Sequence, residues 1–547
     1  MALIEALVAQ GLLTRERADA LLAGARAAAP SSAGAAGAAG TASGWGAAAP
    51  AREPRPGQPP VIRVPFIPET LRAQLRDEIR RDVLATAREE RWADPRQLPE
   101  WLRGLALEGD VRVRFQAERF DAPRFATDPA TGEPLDLPCG IVGGNLPAEC
   151  YRAQLEGPAW APDLLNTGTD RQRLTLRARL GFTARLSDGI GLGVRFSTGS
   201  TSGPTSASQT LGSGFNRSAA LLDRAFLRWT PRHDWRVLGG RIGNPFVGTD
   251  LTWPDDLAFD GVAAQGEWDF GRSVVAFGAA GAFPLEEFAV DRRDKWLYGV
   301  QAGADWHFGR QSSLRVALGL YEFSNVEGVR ESAPPPAGPR AGTVPYLTSQ
   351  YPANLRLKGN TLINLNDPTS TAAPVWGLAS AFRPLNLTAA LSTPLAEALV
   401  FGATLDWVKN TGFDLADIRR RAATPAVEGL AEKTAAWQLR TTIGSPRLVQ
   451  RGDWQIAAAF RRLERDAWID GFTDTTWHLG GTNHAGWQLA GQWAFERRST
   501  VGLRLTSTKN LDDGVRFTIG DPPATVGTLS SAPLKIDVIQ IEVQTRF

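Results

Sequence analysis

From Ile539 to the last residue the chain changes character at every position. Ile539, Ile541, Val543, Thr545 and Phe547 fall on one face of an extended strand, and Gln540, Glu542, Gln544 and Arg546 fall on the other. The pattern repeats at greater length upstream. Leu174, Leu176, Ala178, Leu180, Phe182, Ala184 and Leu186 alternate with Arg173, Thr175, Arg177, Arg179, Gly181, Thr183 and Arg185. Such a run exceeds the ~5–6 residues of a common globular strand and covers the ~9–11 of a tilted membrane strand. Two architectures use strands of this kind. A soluble sandwich turns the apolar faces together, whereas a barrel in lipid turns them outward around a polar lumen.

Composition narrows the choice. The chain has 547 residues and a formal net charge of +2, so bulk charge points to no nucleic acid or acidic partner. Eighteen Trp against five Tyr suits an interface between membrane and water. Only six of the 60 basic residues are Lys. No apolar run of about 18 residues occurs, which excludes a transmembrane helix. In a membrane this chain would therefore be a closed sheet, the other structure that satisfies its backbone in lipid.

Residues 1–27 read as a small helical hairpin, with Ile4, Leu7 and Val8 on one face and Thr14 capping the second helix. The start carries neither a basic n-region nor an apolar h-region, and Met1, the chain's one Met, reads as an added or trimmed start. Residues 28–60 are an Ala/Gly/Pro-rich tether. Residues 61–103 hold a helix from about Glu69 to Arg91. Its stripe Leu71, Leu75, Ile79 and Val83 suits either a self-association seam or a helix lying on the end of a larger domain. Cys139 and Cys150 sit in a Gly/Pro-rich loop, where an oxidising compartment would join them in a disulfide.

Residues 104–547 then read as sixteen strands centred near 114, 179, 194, 225, 238, 265, 278, 301, 318, 383, 403, 438, 459, 490, 504 and 541. Short connections such as Ser187-Asp188-Gly189 and Glu496-Arg497-Arg498 alternate with long ones such as 199–217, 244–258 and 325–374. Short turns on one side and long loops on the other are what an outer-membrane barrel shows. Aromatic residues gather at strand ends in two girdles. Trp229, Trp235, Trp268, Trp306, Trp454 and Trp493 fall toward the short turns, and Trp296, Trp376, Trp407 and Trp437 toward the long loops.

Several motifs carry a family resemblance: Val64-Pro65-Phe66-Ile67-Pro68-Glu69, Leu98-Pro99-Glu100-Trp101, Gly240-Arg241-Ile242-Gly243-Asn244-Pro245-Phe246 and the terminal Phe547. From residue 61 on, the chain resembles the bacterial "putative porin" family. The resemblance implies an outer-membrane diffusion pore, a homotrimer with the N-terminal extension in the periplasm, and contact with lipid and lipopolysaccharide. It also implies that Phe547 is the signal read by the barrel-assembly machinery.

A pore selects by the charge at its constriction. The third long loop carries Asp250, Asp255 and Asp256. The polar faces of the early strands carry Arg112, Arg114, Arg173, Arg177, Arg179, Arg195, Arg224, Arg228 and Arg241. Acidic loop against basic wall would set a transverse field and favour small anions. Alternatively these arginines pair with Asp110, Glu118, Glu267, Asp305, Asp406 and Glu542 and merely stabilise a wet interior. A catalytic reading is thin. His478 and His484 share a loop with Asp470 and Asp474, but loop histidines are usually solvated, and Gly189-Ile190-Gly191-Leu192-Gly193 lacks the following helix of a dinucleotide site. No enzyme, metal or cofactor is expected. The reading from a different class is an envelope tether, in which residues 1–60 bind cell-wall material and the barrel is an anchor.

Overall fold

The computed structural model describes residues 104–121, 170–201, 203–288, 293–309, 311–329, 348–365, 375–396, 398–422, 430–512 and 534–547. The hairpin at 1–27, the tether at 28–60, the helical segment at 61–103, and Cys139 with Cys150 lie outside these residues.

Sixteen strands form one closed antiparallel barrel. They are β1 (Ala106–Asp121), β2 (Arg171–Arg185), β3 (Ile190–Ser197), β4 (Leu221–Arg232), β5 (Trp235–Gly243), β6 (Ala258–Phe270), β7 (Val274–Glu286) and β8 (Lys295–Phe308). The second half comprises β9 (Ser312–Ser324), β10 (Pro384–Ala396), β11 (Leu399–Asn410), β12 (Ala435–Gly444), β13 (Trp454–Leu463), β14 (His484–Glu496), β15 (Ser499–Asn510) and β16 (Lys535–Arg546). Each strand pairs with its sequence neighbours, and β1 closes on β16 in a register running from Asp110↔Arg546 to Asp121↔Lys535. Closure removes the unpaired edges that an open sheet would present. Because β3 is short, Gln209 and Thr210 complete the upper edge of β2, pairing with Leu176 and Thr175.

The faces are arranged as lipid demands and a soluble sandwich forbids. Val111, Val113, Phe115, Leu180, Leu489, Leu503, Ile539, Ile541 and Val543 are exposed, while the alternate Arg112, Arg114, Arg177, Gln488, Gln540 and Glu542 are buried. The lower girdle is also present on the outside, where Trp229, Trp235, Trp306, Trp454, Trp493 and Phe547 are exposed.

Three expectations need correction. Strand ten is centred seven residues later than expected. Residues 362–364 and 376–378 instead form a small hairpin that packs inside. Trp376 is therefore a buried core residue rather than part of a girdle. Connection length does not sort the rims perfectly either: 287–294 belongs to the long-loop rim and is shorter than 445–453 on the other. Strand parity, which must alternate in an antiparallel barrel, decides the rim, and length only follows it.

Candidate functional site

The lumen has two unlike walls. Along β16, β1, β2 and β3 the inward positions are Gln540 and Glu542, then Asp110, Arg112, Arg114, Gln116 and Glu118, then Thr175, Arg177 and Arg179, then Arg195. Along β5 to β9 the buried inward positions are mostly apolar, Ile242, Phe259, Ala263, Ala279, Phe283, Leu297, Ala317, Tyr321 and Phe323, with Gln301 among them. The signal for this second wall was present in β7, which has no polar residue from Val274 to Phe283. An apolar stretch of that kind marks a strand buried on both faces.

The third long loop, residues 244–257, covers the apolar wall. Phe246, Leu251, Trp253 and Leu257 are buried against it, with Trp253 edge-on to Phe259, Tyr321 and Trp468 at ring separations of 4.9, 5.5 and 4.8 Å. Phe246 fits because position 299 is glycine, where a Cβ would come within 2.5 Å of the Phe246 ring. The loop backbone is pinned as well. Gln301 donates to the Val247 carbonyl and accepts from its N–H, both at 2.7 Å, and the Thr249 hydroxyl donates to Asp406 at 2.6 Å.

From this anchorage the loop reaches both sides of the lumen. The Asp250 carboxylate accepts from Gln438 at 2.7 Å, Arg440 at 2.7 Å and Trp477 at 3.1 Å, and pairs with Arg461 at 3.2 Å. The Arg461 guanidinium also stacks over the Trp477 ring at 4.4 Å. Asp256 pairs with Arg177 at 3.2 Å and Arg179 at 3.1 Å on β2. Burial alone would raise both carboxyls, but Arg440 and Arg461 around Asp250, and Arg177, Arg179 and Arg112 around Asp256, hold them well below the usual range. Asp255 differs. Its side chain is exposed to the lumen and has no hydrogen bond or ion pair among the described residues. Burial within the barrel first, then the like charges of Asp256, Asp250 and Asp474, push its pKa up to about 6; lumen water moderates the first of these.

The expected arginines fall into groups. Arg114 bonds Glu542 at 2.7 and 2.9 Å, Arg112 bonds the Ser208 hydroxyl at 2.9 Å with Glu542 at 3.9 Å, and Arg173 pairs with Glu118 at 2.6 Å. Arg177 and Arg179 share Asp110 at 3.0 and 2.5 Å, and Arg195 pairs with Asp223. Arg224 and Arg228 are partly buried on the inner face of β4. Arg241 is set apart. Its neighbour Ile242 points into the buried apolar cluster, so the pleat turns Arg241 outward, where it pairs with the exposed Asp260 at 2.7 Å. Much of the wall is thus internally paired. Gln438, Arg440, Arg461 and Trp477 escaped sequence reasoning because their partner, Asp250, is between 188 and 227 residues away in the chain.

His478 and His484 are buried, contrary to the solvated expectation. Their rings stack at 4.9 Å, and His478 bonds Thr508 at 2.9 Å and Asn510 at 3.1 Å. Burial, followed by the charges of His484 and Lys358, keeps His478 neutral. No group of three or more His, Cys, Asp or Glu able to hold a metal occurs among the described residues. At the other rim, the Phe547 N–H donates to the Gly109 carbonyl at 3.0 Å and the exposed Phe547 ring lies over Gly109.

A family model described as "Putative porin" matches residues 1–547. Among solved structures, the outer membrane channel DcaP of Acinetobacter baumannii is 9% identical, covering 81% of this chain and 98% of its own, with a TM-score of 0.36. A Salmonella typhi OmpF in complex with daunomycin is 9% identical over 81% of this chain and 97% of its own, with a TM-score of 0.39. A triple mutant of the Rhodopseudomonas blastica porin is 11% identical over 81% and 100%, with a TM-score of 0.33. Likenesses this weak carry no argument, and the fold rests on the closed register. No curated protein matches the chain.

Proposed function

Because the chain belongs to the "Putative porin" family and is an outer-membrane porin, a channel rather than an enzyme, we propose that it passes small hydrophilic solutes by passive diffusion and prefers anions. The third long loop forms the constriction, and the path runs between that loop and the charged wall. The supporting observation is the division of labour within the loop. Asp250 and Asp256 are consumed as struts to opposite sides of the lumen, which leaves Asp255 as the loop's one carboxylate open to the water. On the facing wall, Arg112 and Arg114 share the one carboxylate of Glu542, at 3.9 and 2.7 Å, so positive charge is in surplus there. Arginine suits this task, being charged at every working pH.

The same proposal includes a homotrimer in contact with lipid and lipopolysaccharide and an N-terminal extension in the periplasm. Phe547 serves as the signal to the assembly machinery, and Cys139 and Cys150 are joined in a disulfide. Planar-bilayer recordings of the purified chain test the central reading. A KCl gradient should give reversal potentials of the sign for chloride preference; cation preference would overturn the anion path.

A further inference from the structure

Building on that anion path, we infer that Arg224 is the specificity-determining residue of the wall, holding a carboxylate or phosphate group of the passing solute in a subsite between β3, β4 and the third loop. The site follows from local register. A bulge between Arg195 and Phe196 makes β4 offer one extra residue, so Asp223 and Arg224 both turn toward the lumen and Arg224 sits directly opposite Arg195. Two cations facing each other across a ladder are unfavourable unless something negative lies between them. The available carboxylates do not suffice. Asp223 is taken by Arg195, while Asp110 and Asp256 are both taken by Arg177 and Arg179, so three carboxylates serve four guanidinium groups.

Arg224 is the one left over. Among the described residues it makes no hydrogen bond or ion pair, and its Nε is buried without a partner, as is Nη2 of Arg195. A buried N–H that lacks an acceptor is costly, and an oxyanion entering here would supply oxygens to both. The side chain is nevertheless partly exposed, so a solute can reach it. Its seat is made by Gly243 at the root of the loop, where a Cβ would lie 2.8 Å from Nη1. Chloride, a single point acceptor, cannot bridge a fork of donors as two oxygens can, so the subsite distinguishes an oxyanion from a halide of equal charge.

The test uses the full chain in planar bilayers carrying a chloride current, with inorganic phosphate added from one side and, in a second arm, acetate. Wild type should show saturable block, and the more potent of the two names the preferred group. Arg224→Gln should raise the half-blocking concentration about tenfold or more. Arg224→Lys, which keeps the charge and loses the fork, should raise it a few-fold, and Arg241→Gln on the outer face should leave it unchanged. Retained unitary conductance and heat-dependent gel mobility establish that each variant is folded. Unchanged block in Arg224→Gln, or no block of wild type by either anion, overturns the subsite while leaving an anion-preferring channel intact. Cation preference of wild type overturns both.

Discussion

The wall built from β16, β1, β2 and β3 and the wall built from β5 to β9 share one lumen and one pleat, yet they are opposites inside. Their outer faces are alike, with Val113, Phe115 and Ile541 on one and Val262, Val300 and Leu318 on the other, all exposed. Inside, the first presents paired arginines and carboxylates, and the second presents Phe259, Phe283, Tyr321 and Phe323. A water-filled lumen tolerates the first as it stands. The second must be covered, and the third loop covers it with Phe246, Leu251 and Trp253. The loop is therefore held by hydrophobic burial on one side and by ion pairs on the other. The proposed solute path accordingly runs along the charged wall.

The sharpest way to break this contrast is to remove the apolar anchor. Trp253→Ala should cost about 3–5 kcal/mol, from a lost aromatic side chain and the cavity it leaves. Thermal unfolding in detergent would read the loss, and the released loop should raise unitary conductance. Asp250→Ala attacks the other attachment. It leaves Arg440 and the fully buried Arg461 without their carboxylate, at a cost of about 3 kcal/mol, and it should add open-channel noise as the loop loses one strut. If conductance and stability matched wild type in both variants, the loop would not be held in this way.

Smaller effects sharpen the electrostatic half. Asp255→Asn removes a water-exposed charge that bonds to nothing described, so stability should hardly change, while the chloride-to-potassium permeability ratio rises about twofold. Acidification should mimic it. Asp255 titrates near 6, so its negative charge is present at pH 7.5 and largely lost at pH 5, and anion preference should increase over that interval. Asp250 and Asp256 behave in the opposite sense. Their carboxyls are depressed, so the stabilisation they give is present above the unfolded value of about 3.9 and is lost only as pH falls through their lower folded values. The loop should hence stay clamped at pH 5, and a conductance jump there would contradict the assignment. Arg241→Gln, breaking a largely exposed pair on the outer face, should cost less than about 1 kcal/mol and leave selectivity unchanged.

Legibility in the sequence followed the range of the interaction. In β2, the alternation of Leu174, Leu176 and Leu180 with Arg177 and Arg179 was enough to assign both faces, because the pleat is a local property. Arg241 shows the limit of that rule. It lies in a Gly-rich stretch with little alternation to fix its side, and only the burial of Ile242 next to it reveals that it points away from the lumen. Trp376 was misassigned for a related reason, since an aromatic residue near a strand end looks the same whether it meets lipid or folds back inside.

The amino-acid order by itself determined that sixteen strands would form, where all but one are centred, and that their greasy sides would point outward, since each depends on neighbours two residues apart. What the tertiary structure alone decided is how the charges inside are used. Asp250 meets Arg440, and Asp256 meets Arg177, only because closure of the barrel brings distant strands around one loop. A carboxylate's role as strut or as selectivity charge depends on which cations stand within about 4 Å of it. The chain's linear spacing does not encode that distance.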